Sequence, residues 1–328
     1  MRNYVLKRLF ISVVLLFFVS LIIYIIMRSL PTSYVEAQAR TLSMRPGAKS
    51  YTDWLLQLQQ AYGLNIGIVP GFFKWMSNAV TGNFGDSWVF NVPVTQKFTE
   101  VIWDSFILAS IAMVLEILIS IPLGIHAARK QYSRSDYAIT VFALLGISLP
   151  TFFFATVLKL IFSVWLGWFD LYGKVGRDYM QLDAFGKFMD VASHFVLPIM
   201  TLTIISVGSL MRYTRTNMLE VLNADFIRTA RAKGLSERRV INHHAFRNTL
   251  IPIVTILGGS LPGLFAGALI TETLFQIPGI GYTGYQAMVS GDIPFTMFYM
   301  VFLAVLTLLG TLIADILYAV VDPRVRIR

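Results

Sequence analysis

No cysteine occurs in the 328 residues, which excludes a disulfide framework, a thiolate metal site and a cysteine nucleophile. Charge is scarce as well: 14% of residues are charged and 56% are hydrophobic. The mean hydropathy is +0.66. That leaves too little polar surface to cover a water-soluble domain of this size, so the chain reads as a membrane protein. Acidic residues are outnumbered, 18 against 27 Lys and Arg, for a formal charge of +9. In so apolar a chain that excess is first a question of membrane sidedness and only then of nucleic acid. Catalytic signatures are missing too. Neither Gly173-Lys174 nor Gly186-Lys187 is followed by Ser or Thr, as a phosphate-cradling loop requires, and there is no H-E-x-x-H or G-x-S-x-G. The four histidines, His126, His194, His243 and His244, lack a metal-ligand spacing with carboxylates. Catalysis or metal binding by this chain is not expected.

A hydrocarbon core ~30 Å thick needs ~20 apolar helical residues to cross it. Six runs of that kind are present, at 9–27, 101–128, 138–169, 195–211, 250–274 and 294–321. Basic residues fall mostly in four segments on one side. These are Arg2, Lys7 and Arg8; Arg129, Lys130 and Arg134; eight residues from Arg212 to Arg247; and Arg324, Arg326 and Arg328. The bias places both termini in the cytoplasm. The fold class expected is an all-α polytopic membrane protein of six transmembrane helices. It divides into an N-terminal helix (1–29), an external insertion (30–100) and a five-helix core (101–328). The first run is long for a signal-peptide core, and the small triplet Ala37-Gln38-Ala39 lies well beyond its end, so it reads as a retained span.

Glu116, Lys159, Glu272 and Asp315 fall inside the runs, with Asp104 near a boundary. Ionisable groups at membrane depth are costly and invite a functional reading. Glu116 with Gly259, Pro262, Gly263 and Glu272 could line a pathway or form a hinge, or could serve only helix packing. In the insertion, Trp54, Leu55, Leu58 and Tyr62 recur at helical spacing ahead of Phe72, Phe73, Lys74, Trp75 and Met76. That pattern suits either a small packed cap or a dock for an external partner.

The most informative stretch lies on the basic side between the fourth and fifth runs. Its pattern predicts two short helices, the first capped by Asn223 or Asp225 and stopped at Gly234, the second capped by Ser236 and running to about Asn248. A DNA-reading helix pair would be tethered to the bilayer at both ends, unable to enter a groove, so no nucleic-acid partner is expected.

The run Asp225-Phe226-Ile227-Arg228-Thr229-Ala230-Arg231-Ala232-Lys233-Gly234-Leu235-Ser236-Glu237, continuing through Phe246-Arg247-Asn248-Thr249-Leu250, resembles the cytoplasmic coupling loop of peptide-type permeases of ATP-binding cassette importers. Glu272-Thr273-Leu274-Phe275-Gln276-Ile277-Pro278-Gly279 is similar to that family's stretch after the fifth span. Gly82-Asn83-Phe84-Gly85-Asp86-Ser87 resembles its approach to the second. The order agrees over nearly the whole chain and is most like the oligopeptide branch. Three departures stand out: Arg228-Thr229-Ala230 where the general family motif begins Glu-Ala-Ala, a pattern that resembles the peptide branch; Leu30-Pro31-Thr32-Ser33 after the first span; and Gly291-Asp292 where an Arg-Asp pair is frequent.

The resemblance implies a type I importer permease in a bacterial plasma membrane, without catalytic residues of its own. Its partners would be a homologous second permease, two cytoplasmic ATPases that hold ATP and Mg, an external peptide-binding protein, the peptide and the lipid bilayer. It assigns ATPase coupling to the loop at 223–248, with Ala230 and Ala232 for close contact and Gly234 for the turn. Asp225, Arg228, Thr229, Arg231, Lys233 and Glu237 complete the coupling set, with charge complementarity from Arg228, Arg231, Lys233 and Glu237. The rival readings are a self-sufficient ion-coupled carrier, or an importer permease for dipeptides or nickel complexes.

Overall fold

The computed structural model describes the backbone of residues 2–29 and 34–321, and their side chains except at 2–5, 251 and 318–321. Residues 30–33 and the basic tail Arg324, Arg326 and Arg328 lie outside the described residues. Those described fold as helices and connecting turns, with a single isolated bridge between Asp86 and Pro93.

Four helices are each long and apolar enough to cross a bilayer alone: α1 (Arg2–Ser29), α5 (Val94–Arg129), α8 (Ala184–Leu222) and α14 (Ile293–Val321). Between α1 and α5 come α2 (Tyr34–Ser43), α3 (Tyr51–Ala61) and α4 (Ile68–Val80). Two further crossings are bent pairs, which bring the number to six if each pair counts once.

The third run is therefore not one straight helix. α6 (Arg134–Ser148) and α7 (Thr151–Leu158) meet at 105°, and α7 continues as a π-helical turn, Lys159–Trp165. The cause is Pro150, which forces Leu149 into an extended conformation (φ −93°, ψ 137°) and ends the helix before it. The fifth run is also divided. α11 (Phe246–Ser260) passes into a 3₁₀ turn, Leu261–Phe265, and the chain then breaks at Gly267 (φ +81°). The remainder forms a separate short helix, α12 (Leu269–Phe275), and α13 (Ile280–Val289) comes after it.

α5 and α8 pack along much of their length, with α6, α7 and α11 against α8 and α14 against α1 and α11. Lipid offers no hydrophobic drive to bring helices together, so close packing must do it, and small residues allow close approach. Ala112, Ser120 and Ala127 of α5 and Thr201, Thr203, Gly208 and Thr214 of α8 are buried. Ser120 Oγ donates to the Val207 carbonyl across the helix pair (3.2 Å).

Two charged side chains help to fasten the segment ahead of α5 to the core. Arg28, in the last turn of α1, donates to the carbonyls of Leu64 (2.9 Å) and Ile66 (2.6 Å). Asp292, wholly buried, accepts from the Ser87 hydroxyl, from Val89 N (3.1 Å) and from Phe295 N (3.2 Å). One carboxylate thus holds the strap at 82–93 and orders the start of α14. The acid of the Gly291-Asp292 pair has a clear structural use without a neighbouring arginine.

Candidate functional site

The loop at 223–248 is built from the end of α8 downward. The α8 helix runs 39 residues, far beyond its apolar section, and ends at Asn223, whose side-chain amide donates back to the Leu219 carbonyl (2.9 Å). Asn223 therefore closes α8 and does not cap the next helix. α9 (Asp225–Ala232) begins after Ala224 without a side-chain cap; Asp225 is its first helical residue, where a negative charge suits the N-terminal end.

The two faces of α9 differ. Ile227 and Ala230 are buried against Ala128, Met218, Val240, Ile241 and Ala245. Asp225, Phe226, Arg228, Thr229, Ala232 and Lys233 are exposed. Ala230 is therefore not placed to contact a partner; its small side chain lets α9 seat closely on its own chain. Phe226, 46% exposed, is the large apolar group on the free face. Its sequence signal is an aromatic residue among charges in an aqueous loop; the stretch expected to dock on an ATPase begins at Phe226, though the residues given individual coupling roles leave it out.

Lys233 caps the C-terminal end of α9 and Gly234 comes next at φ +75°, the left-handed stop expected from its position. Across this turn Arg231 grips Glu237 with two hydrogen bonds, Nη2 to Oε1 at 2.8 Å and Nε to Oε2 at 3.2 Å. The hydrogen-bonded guanidinium holds the Glu237 carboxyl below the usual carboxylate range. Arg231 and Glu237 are thus used on one another, and Arg228 lies 3.7 Å from Asp225. Among the described residues Lys233 has no such partner.

The expected second helix also differs. Ser236 stands at its N-cap position but makes no capping hydrogen bond. The helix does not stop near Asn248: α10 (Glu237–Arg239) passes through a π-helical stretch, Val240–Ala245, directly into α11. The coupling loop is thus continuous with the fifth span. Just above it, Arg215 of α8 forms a bidentate pair with buried Asp136 of α6, both bonds 2.8 Å. This pair ties the rod that carries α9 to the neighbouring bent span.

The charges within the spans are mostly engaged. Glu272 is fully buried. Its carboxylate accepts from the Ser105 hydroxyl (2.7 Å), Ala268 N (2.8 Å) and Tyr282 N (2.9 Å). Ser105 Oγ in turn accepts from Ile280 N (2.8 Å). This network joins α5, α12 and α13, and gives Glu272 a role in closing the broken span. Lys159 donates to the Leu274 carbonyl (2.7 Å) with Tyr172 across its ammonium at 3.7 Å. Asp315 meets Arg8 (3.2 Å) and Asp104 meets Lys174 (2.6 Å). Pro262 is buried, whereas Gly259 and Gly263 line an open groove with Thr307 and Gly310 of α14. Glu116, half-buried on α5, has no polar partner among the described residues.

The family of binding-protein-dependent transport system inner membrane components matches residues 120–327. The chain is 37% identical over 326 residues to the oligopeptide transport system permease protein AppB of Bacillus subtilis, covering 99% of each. It is 32% identical over 313 residues to the oligopeptide permease protein OppB of Haemophilus influenzae, covering 92% of this chain and 97% of that one. It is also 32% identical over 339 residues to the di/tripeptide permease protein DppB of Pseudomonas aeruginosa, covering 99% of each. In fold it is similar to a chain of the inward-facing MetNI methionine transporter, with a TM-score of 0.54 at 15% identity, covering 70% of this chain and 97% of that one. A match to more than half the chain, together with relatives aligned nearly end to end, makes this a non-catalytic membrane subunit of an ATP-binding cassette importer, and the chain belongs to the family of binding-protein-dependent transport system inner membrane components.

Proposed function

We propose that this chain forms half of a translocation pathway for oligopeptides and is driven through α9 by an ATPase on the cytoplasmic side. The observation that carries the reading is the two-faced α9: one face seated on the chain's own helices, the other presenting Phe226, Thr229 and Ala232 beside Lys233 with nothing over them. A homologous second permease supplies the other half, two ATPases hold ATP and Mg, and an external binding protein delivers the peptide. Within the chain, residues 30–100 form the external unit and 101–328 the permease core. Glu116 and the groove at Gly259 and Gly263 are assigned to the pathway. The names of the relatives from Bacillus and Haemophilus support an oligopeptide cargo, and that of the Pseudomonas relative supports di- and tripeptides as the second reading.

The absence of native cysteine makes the test direct. With Ala232→Cys as the sole thiol of this chain, a short thiol–amine cross-linker in native membranes is expected to capture a nucleotide-binding ATPase, identified by mass spectrometry. If no ATPase is captured and the purified chain alone carries peptide into liposomes, the importer assignment of α9 fails.

A further inference from the structure

A cleft of about 270 Å³ opens between the outer end of α1, one face of α4 and the start of α14. Its lining holds two cations, Arg28 and Lys74, and no carboxylate. Three backbone carbonyls, those of Gly63, Leu64 and Ile66, orient the Arg28 guanidinium without neutralising it. Lys74 is exposed and has no ion pair among the described residues. Tyr24 also lines the cleft; it is only 7% exposed, and its hydroxyl has no hydrogen-bond partner among the described residues. A side chain at Gly71 would run into that hydroxyl, so the glycine makes the room in which the hydroxyl sits at the edge of the cleft. The amides of Asn78 and Asn83 add further donors. Charge and donors together fit a phosphate.

The source of that phosphate is indicated by the other faces of α4. Gly71, Lys74, Trp75 and Asn78 recur at helical spacing on the cleft side, and Phe72, 1% exposed, packs on Phe17 and Tyr24 of α1. The third face presents Val69 (61% exposed), Phe73 (57%) and Val80 (80%) outward. A helix with one apolar face uncovered, beside the end of a spanning helix and near Trp75 and Trp88, has the character of one lying in the headgroup layer. The inner wall of the cleft, Phe84, Ile293, Pro294 and Met297, is apolar and suits the glycerol and first acyl carbons.

We propose that this cleft binds the headgroup of an anionic phospholipid of the outer leaflet, with Lys74, Arg28 and Tyr24 on its phosphate. The proposal rests on the membrane orientation of the chain and not on the peptide cargo.

The test uses the assembled transporter in nanodiscs of phosphatidylethanolamine with a minority of phosphatidylglycerol, and native mass spectrometry to count the lipids retained on release. Phosphatidylglycerol is expected to be retained over phosphatidylethanolamine. Lys74→Glu, at an exposed position that does not threaten folding, is expected to lower that retention roughly tenfold. Tyr24→Phe should lower it less. Equal retention of the two lipids, or unchanged retention by Lys74→Glu, overturns the proposal. Loss of the bound lipid to millimolar inorganic phosphate would overturn it in favour of a free anion. Weaker docking of the external binding protein to Lys74→Glu in discs without phosphatidylglycerol, with no lipid retained by the wild type, would overturn it in favour of an acidic protein surface.

Discussion

Glu272→Ala is expected to remove most of the folded transporter from membranes. The substitution takes the one fully buried acceptor from three donors, the buried Ser105 hydroxyl and the part-buried amides of Ala268 and Tyr282. A buried donor left without a partner costs about 1–3 kcal/mol, so even with relaxation the loss should reach ~4 kcal/mol. Glu272→Gln keeps the shape and one strong acceptor and should cost roughly half as much. Fluorescence-detected gel filtration of the solubilised complex, followed through a thermal ramp, reads both. Were Glu272→Ala to fold with wild-type thermal stability and lose only uptake, the residue would belong to the pathway and not to the closure of α12 upon α5.

Gly234→Leu is expected to separate ATP hydrolysis from uptake. A side chain there has open space around it, so the effect is one of conformation and not of collision. At φ +75° an L-residue with a Cβ is disfavoured by about 1–2 kcal/mol, enough to shift the loop out of its native turn by roughly tenfold. The Arg231–Glu237 clasp straddles this turn and would slacken with it. Reconstituted vesicles should show uptake reduced about tenfold while ATPase activity persists. Gly234→Asn, whose short side chain tolerates the left-handed region, should recover much of the transport. Equal uptake by Gly234→Leu and the wild type would remove the turn from the coupling path.

The helical class and the position of α9 are legible in the sequence for definite reasons. Apolar runs near the bilayer thickness and the one-sided basic residues report directly on spans and orientation. Gly234 can be read as a stop because few residues other than glycine take that conformation cheaply. The breaks are harder. Pro150 is plain in the sequence, but an apolar run has no boundary within it, and hydropathy alone cannot say whether proline kinks a helix or turns it through 105°. The π-helical stretches at Lys159–Trp165 and Val240–Ala245 leave no pattern in composition, since one extra residue in a turn is set by tertiary packing. Which charges inside the spans are structural is likewise hidden. Glu272 finds its partners on Ser105, 167 positions earlier, and on the turn into α13. For α9 the sequence carries the residues but not their facing: Ile227 and Ala230 turn inward only because Val240 and Ile241 stand behind them.

The length of α8 sets a mechanical ratio. At ~1.5 Å per residue its 39 residues make a rod ~58 Å long, about twice the hydrocarbon thickness it must cross. α9 hangs from its cytoplasmic tip, and the Arg215–Asp136 clamp grips the rod only two turns short of that tip. A tilt of about 5° around the outer end would carry the tip sideways by roughly 5 Å, close to the pitch of one helical turn. Over that sweep the middle of the rod would travel only half as far, so a wide displacement at the cytoplasmic end becomes a fine adjustment at the depth where α5 and α8 are in contact.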